Sequence, residues 1–94
     1  MTLIKSKRFE EELQTIVLFI ADDNVNSALD FFDSIIAKIE DILYNPYIYR
    51  KRNTSKDIYT RELIFKGYTV PYYIDLAKNK IIILGIFNQN EWKS

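Results

Sequence analysis

The chain has 94 residues, 48% of them hydrophobic and 28% charged, with only two Gly and two Pro, which excludes both a two-core protein and a disordered one. It has no Cys and no His, so disulfides, thiolate or imidazole metal sites, Cys nucleophiles and Ser–His catalysis are all ruled out. Formal net charge is zero, yet residues 1–49 hold four basic and nine acidic side chains (net −5) and residues 50–94 nine basic and four acidic (net +5), an asymmetry that fits a basic working surface on the second half or an acidic helical half solvated for its own sake.

Thr2 to Ser6 reads as a short strand. Met1 to Arg8 shows no long apolar run behind a basic segment, so no secretory signal is expected. Phe9, Leu13, Ile16, Val17 and Ile20 then recur at helical spacing, with Glu10, Glu11 and Glu12 where the positive end of the helix dipole favours acids. Asp22, Asp23 and Asn24 end this helix and supply capping oxygens for the next. In the second helix Val25, Ala28, Leu29, Phe32, Ile36, Ile39 and Leu43 form an apolar stripe, which Asn45–Pro46 stops. Two helices joined by a few polar residues form an antiparallel hairpin.

From Ile58 the period changes. Segments 58–65, 68–75 and 80–87 are rich in β-branched and aromatic residues and are parted by the turns Lys66–Gly67 and Lys78–Asn79, so they are expected to pair antiparallel. Ile81, Ile82, Ile83, Leu84 and Ile86 are apolar almost without alternation, which predicts a central strand covered on both faces. Pro71 cannot donate to a ladder and calls for an edge, a bulge or a strand end. The run from Ile81 to Phe87 is far short of the roughly 20 residues that cross a bilayer, so the expectation is a cytoplasmic protein. The whole is α+β: a helical hairpin packed on an antiparallel β-sheet, as one domain over residues 1–94.

Chemistry has few carriers here. Arg50, Lys51, Arg52 and Lys56, interleaved with Tyr47, Tyr49 and Tyr59 and followed by Arg61, Lys66 and Tyr68, offer cations for phosphates and rings for unpaired bases. The alternative is a solvated loop followed by packing tyrosines. Arg61 stands out, because it is charged within an apolar strand; it needs a phosphate, a carboxylate or water, and a salt bridge to one of the N-terminal acids would serve. The tail Asn88–Gln89–Asn90–Glu91–Trp92–Lys93 either contacts a partner through its amides and Trp92, or folds Trp92 back over the core. Carboxylate pairs such as Asp22–Asp23 and Glu40–Asp41 read as helix ends and solvent faces.

The order of a short strand, a helical hairpin and the strands within IYTRELIFKGYTVPYYIDLAKNKIIILGIFNQNEWK resembles the RelE/ParE superfamily of toxin–antitoxin toxins over nearly the whole chain. The matching pieces are Arg61–Glu62–Leu63, Gly67–Tyr68 with Tyr72–Tyr73–Ile74–Asp75, and Ile82–Ile83–Leu84–Gly85–Ile86. In the helical half Asn24, Ala28, Phe32 and Ile39 match in spacing.

That resemblance implies a type II toxin of the plasmid-stabilisation kind, neutralised by a cognate antitoxin, with no cofactor, no metal and no membrane partner, and as a homodimer or a toxin–antitoxin hetero-oligomer. The ParE-like branch inhibits DNA gyrase; the RelE-like branch cleaves mRNA on the ribosome. The nuclease branch carries a basic residue where this chain has Thr69, and often Arg, His or Tyr where it has Asn88, Gln89 and Asn90. The expectation is therefore ParE-like inhibition, with Arg50, Lys51, Arg52, Tyr68, Asn88, Gln89 and Trp92 as target-binding residues. RelE-like cleavage carried by Arg61 and Lys66 is the alternative, and an inactive or purely binding member is a third.

Overall fold

A computed structural model describes residues 1–52 and 57–88. Strand β1 (Thr2–Lys5) leads through Ser6 into helix α1 (Lys7–Asp23). The Ser6 hydroxyl oxygen accepts the N–H of Phe9 at 3.0 Å, satisfying one of the amides that a helix start leaves without a partner. A single residue, Asn24, joins α1 to α2 (Val25–Asp41): its N–H closes the last turn of α1 on the Ile20 carbonyl, while its Oδ1 accepts the Ser27 N–H at 3.0 Å. So short a connection leaves the helices no geometry but an antiparallel hairpin.

The stripe buried by α2 overlaps the expected one only in part. Ala28, Phe31, Ile35 and Ile39 are buried, with Ile42 at the helix end, whereas Val25, Leu29 and Phe32 are exposed. Apolar residues cover a wide arc of this helix, so two neighbouring stripes compete. The sheet takes the one containing Phe31 and Ile35, and Phe32 and Ile36 are left to flank the cleft beside α1. The helix proper ends at Asp41, one turn before Asn45–Pro46.

The remaining strands are β2 (Arg50–Lys51), β3 (Thr60–Phe65), β4 (Tyr68–Asp75), β5 (Lys80–Ile83) and β6 (Phe87–Asn88), in the spatial order β1-β5-β4-β3-β2 with β6 also on β4. All pairs are antiparallel except β1 with β5, which is parallel. The expected all-antiparallel sheet is thus mixed at one edge, because the hairpin carries the chain away before it returns as a sheet. The β3–β4 turn puts both central residues at positive φ, Lys66 at 50° and Gly67 at 83°, the primed geometry whose twist suits a two-residue hairpin.

Strands β5 and β6 are two halves of one strand split by a bulge. Tyr72 pairs with Ile83 and Thr69 with Phe87, so three steps along β4 match four on the other side. Pro71 lies opposite this bulge; its carbonyl accepts the Leu84 N–H at 2.9 Å, and the N–H it lacks would have pointed to the same interrupted edge. Two side chains from α1 and its cap pin the bulge. The Ser6 hydroxyl donates to the Leu84 carbonyl at 3.0 Å, and a Glu12 carboxylate oxygen accepts the Ile86 N–H at 3.2 Å.

Both helices lie on one face of the sheet, where Phe9, Ile35, Ile39, Leu63, Val70, Tyr72, Ile74, Ile81 and Ile83 form the core. Strand β5 is interior to the sheet, as expected, and among the described residues only one of its faces is covered by helices. Ile81 and Ile83 are buried under the helices, while Ile82 is half-buried on the open face beside Tyr73 of β4 and Ile4 of β1.

Candidate functional site

Arg61 projects from the helix-side face of β3, opposite Tyr72 of β4. Its guanidinium donates through Nε to the Ile58 carbonyl at 2.9 Å and through Nη1 to the carbonyls of Tyr49 at 2.9 Å and Tyr47 at 3.2 Å. It also lies over the Tyr47 ring, 5.0 Å from its centroid, a cation–π contact. Main-chain carbonyls, and not the N-terminal carboxylates, take this charge. The buried Tyr72 hydroxyl donates to the Pro46 carbonyl at 2.7 Å. Burial pushes that phenol well above the ordinary tyrosine range, with the Arg61 charge pulling the other way and Tyr49 adding to the rise. Arg61 and Tyr72 together fasten the loop between α2 and β2.

Arg50 and Arg52 alternate with Lys51, so both project from the open face, where they meet Glu62 of β3. Arg50 Nε is 2.8 Å from Glu62 Oε1, and Arg52 Nη1 is 3.2 Å from Oε2. The Glu62 side chain is 8% exposed and that of Arg52 13%, against 57% for Arg50. Arg52 further covers the Phe87 ring at 5.4 Å. One buried carboxylate thus neutralises two of the expected phosphate-binding cations, and Arg52 ties the β2 edge to the C-terminal strand. Lys51 is exposed on the opposite side, beside Arg61 in the β2–β3 register.

Lys66, Tyr68 and Asn88 gather at the other end of β3 and β4. Lys66 is exposed at the turn with its ammonium 5.3 Å from the Phe65 ring centroid. Tyr68 packs edge-on against Phe31 at 5.4 Å and lies opposite Asn88 in the β4–β6 pairing. Both line an open groove of about 480 Å³ between α1 and the sheet, together with Glu12, Thr15, Phe19 and Ile86. Thr69, where a nuclease would carry a cation, is buried on the other face of β4 opposite Phe87. Gln89, Trp92 and Lys56 lie outside the described residues.

Among the described residues, the expected site residues other than Lys51 fall into three groups: a loop clamp, an ion-pair cluster and a groove. Among the groove residues that the sequence did not mark as site residues are Phe19 and Glu12. Phe19 is 77% exposed; an aromatic on the polar side of α1, off the stripe of Phe9, Leu13, Ile16 and Ile20, was a readable signal. Glu12 gave none, since its role on the bulge amide needs the fold. In chemical terms the groove offers aromatic and aliphatic surface rimmed by amide, hydroxyl and carboxylate groups, which suits a protein segment.

A model of the ParE toxin of type II toxin–antitoxin systems matches residues 3–91. The chain belongs to the ParE toxin family. As a ParE-like chain it is the toxin component of a type II module, whose counterpart is an antitoxin. Among solved structures, it is similar to a chain of the chromosomal ParDE toxin–antitoxin system from P. aeruginosa, at 18% identity with a TM-score of 0.75, over 94% of this chain and 95% of that one. It is also similar to the conserved hypothetical protein HP0892 from Helicobacter pylori, at 16% identity with a TM-score of 0.51, over 97% of each chain. No curated protein matches it significantly. Among the described residues of this ParE-like chain, no helix is long and apolar enough to cross a membrane.

Proposed function

We propose that this ParE-like toxin arrests growth in the cytoplasm by binding and inhibiting DNA gyrase, without cutting RNA, and that its cognate antitoxin relieves the arrest. One observation carries this reading: the three arginines that would have to carry RNA cleavage beside Lys66 are engaged within the fold. Arg61 is held on three loop carbonyls, and Arg50 and Arg52 share Glu62. A phosphoryl-transfer site needs preorganised charge aimed at the reacting phosphate, and freeing these groups would leave carbonyls and a buried carboxylate without partners. The groove of Phe19, Tyr68 and Asn88 is the target-binding surface in this reading, with Lys66 beside it.

The test is tightly controlled induction in a bacterial host, with thymidine and amino-acid incorporation followed in parallel over the first minutes. DNA synthesis falling first supports gyrase inhibition. Protein synthesis falling first would assign the ribosome instead, and no fall in either would leave the chain a binding member of the family.

A further inference from the structure

Strand β1 is an edge. Among the described residues its partner is β5 alone, through Thr2 N–H to the Asn79 carbonyl at 3.2 Å and Ser6 N–H to the Ile83 carbonyl at 3.0 Å. Alternation along a strand turns the N–H and C=O groups of Leu3 and Lys5 outward. A groove of about 740 Å³ runs beside this edge, between Leu3 and Lys5 on one side and Ala37, Glu40, Asp41 and Leu43 on the other. On the open face an apolar row of Tyr73, Ile82 and Ile4 crosses three strands and stops at the same edge, with Ile4 40% exposed.

We propose that a second copy of this chain covers the edge, the two β1 strands pairing antiparallel about a two-fold axis to give one continuous sheet. The register follows from the side chains. Pairing Leu3 with Lys5 of the second copy lets these residues exchange both their outward main-chain hydrogen bonds, and places Ile4 directly opposite Ile4. The apolar rows of the two copies then join into one. On the helix side, Lys5 of each copy enters the other's groove, where Glu40 and Asp41 stand at the C-terminal end of α2, the end that favours a cation. The surface is complementary to itself in hydrogen bonds, apolar contact and charge, as a two-fold interface requires. A slip of one residue would set Ile4 against the helix-side register and lose all three.

The chain has no cysteine, so a single introduced thiol reads the register. Residues facing each other as Ile4 does in this pairing have Cα atoms about 4.5 Å apart, inside the range that a disulfide bridges. The full chain sedimenting as a monomer–dimer equilibrium, with Ile4→Cys oxidising to a covalent dimer about tenfold faster than Thr2→Cys, is the expected result. Lys5→Glu shifts the equilibrium to monomer, and adding Glu40→Lys and Asp41→Lys to it restores the dimer. A monomer at every concentration, equal oxidation of the two cysteine variants, or a dimer indifferent to Lys5→Glu overturns the proposal. So does a β1 edge protected from hydrogen exchange only when antitoxin is added, which would make the occupant an extended segment of that protein.

Discussion

Arg61 and Tyr72 face each other across β3 and β4, and both reach the same stretch of main chain. The guanidinium holds the carbonyls of Tyr47 and Tyr49, and the phenol holds that of Pro46. Loop and sheet are therefore joined by a charged clamp, of which Arg61 is the candidate catalytic group of the nuclease alternative.

Replacing Arg61 by Ala removes the donors of three carbonyls and is expected to cost about 1–3 kcal/mol of stability. Lysine restores part of this, since an ammonium reaches one carbonyl where the guanidinium fork reaches several. Urea denaturation of both variants checks the order. In a toxicity assay the loss should follow the fraction folded, and a fully folded but harmless Arg61→Ala would return the residue to the site chemistry.

Tyr72 makes alkaline stability the sensitive observable. Its folded-state pKa is raised by burial, so near and above pH ~10 the unfolded chain loses this proton while the native one keeps it. The native state then binds more protons, and stability falls as pH rises. Below that region Tyr72 contributes no slope. Denaturation between pH 8 and 11 should show a steeper alkaline decline for the natural chain than for Tyr72→Phe, which itself starts about 1–3 kcal/mol lower because the Pro46 carbonyl loses its donor.

Glu62 is the common partner of Arg50 and Arg52, and it is buried. Glu62→Ala removes a buried carboxylate partner from the largely buried Arg52, at an expected cost of about 3 kcal/mol. Arg50→Ala, at the exposed end of the cluster, should cost under about 1 kcal/mol. Hydrogen exchange supplies a second readout: because Arg52 packs on Phe87, the Glu62 variant should lose protection at Phe87 and Asn88, and the Arg50 variant should not.

Phe19 separates folding from function. As an exposed side chain it should tolerate Phe19→Ser within about 0.5 kcal/mol, yet the substitution removes the most prominent apolar group of the groove. Toxicity is expected to fall at unchanged melting temperature. Full toxicity in Phe19→Ser would move the target surface elsewhere.

Much of this architecture was readable in the sequence. Helical spacing from Phe9 to Ile20, capping at Asn24, and the turns at Lys66–Gly67 and before Lys80 gave the hairpin and the sheet, because each is decided within a few residues. Pro71 called for an edge, a bulge or a strand end, and the fold supplies the bulge. What periodicity could not rank were the two adjacent stripes of α2, Phe31–Ile35 and Phe32–Ile36, since only the sheet chooses between them. The site was less legible for a related reason. Arg61 looks free in a strand, but its acceptors are main-chain carbonyls 3, 12 and 14 residues upstream, and carbonyls leave no mark on a sequence. Glu62, next to Arg61 in the strand, faces the opposite way, and that orientation brings it to Arg50 and Arg52.

The most direct test of the central claim uses purified components. The full-length chain is added to a gyrase supercoiling reaction and, in parallel, to a translating extract whose mRNA ends are mapped by primer extension. Inhibited supercoiling, reversed by antitoxin and lost in Phe19→Ser, with mRNA left intact, is the predicted result. Antitoxin-sensitive cleavage of ribosome-bound mRNA with supercoiling unaffected would contradict the account and return Arg61 and Lys66 to a catalytic role.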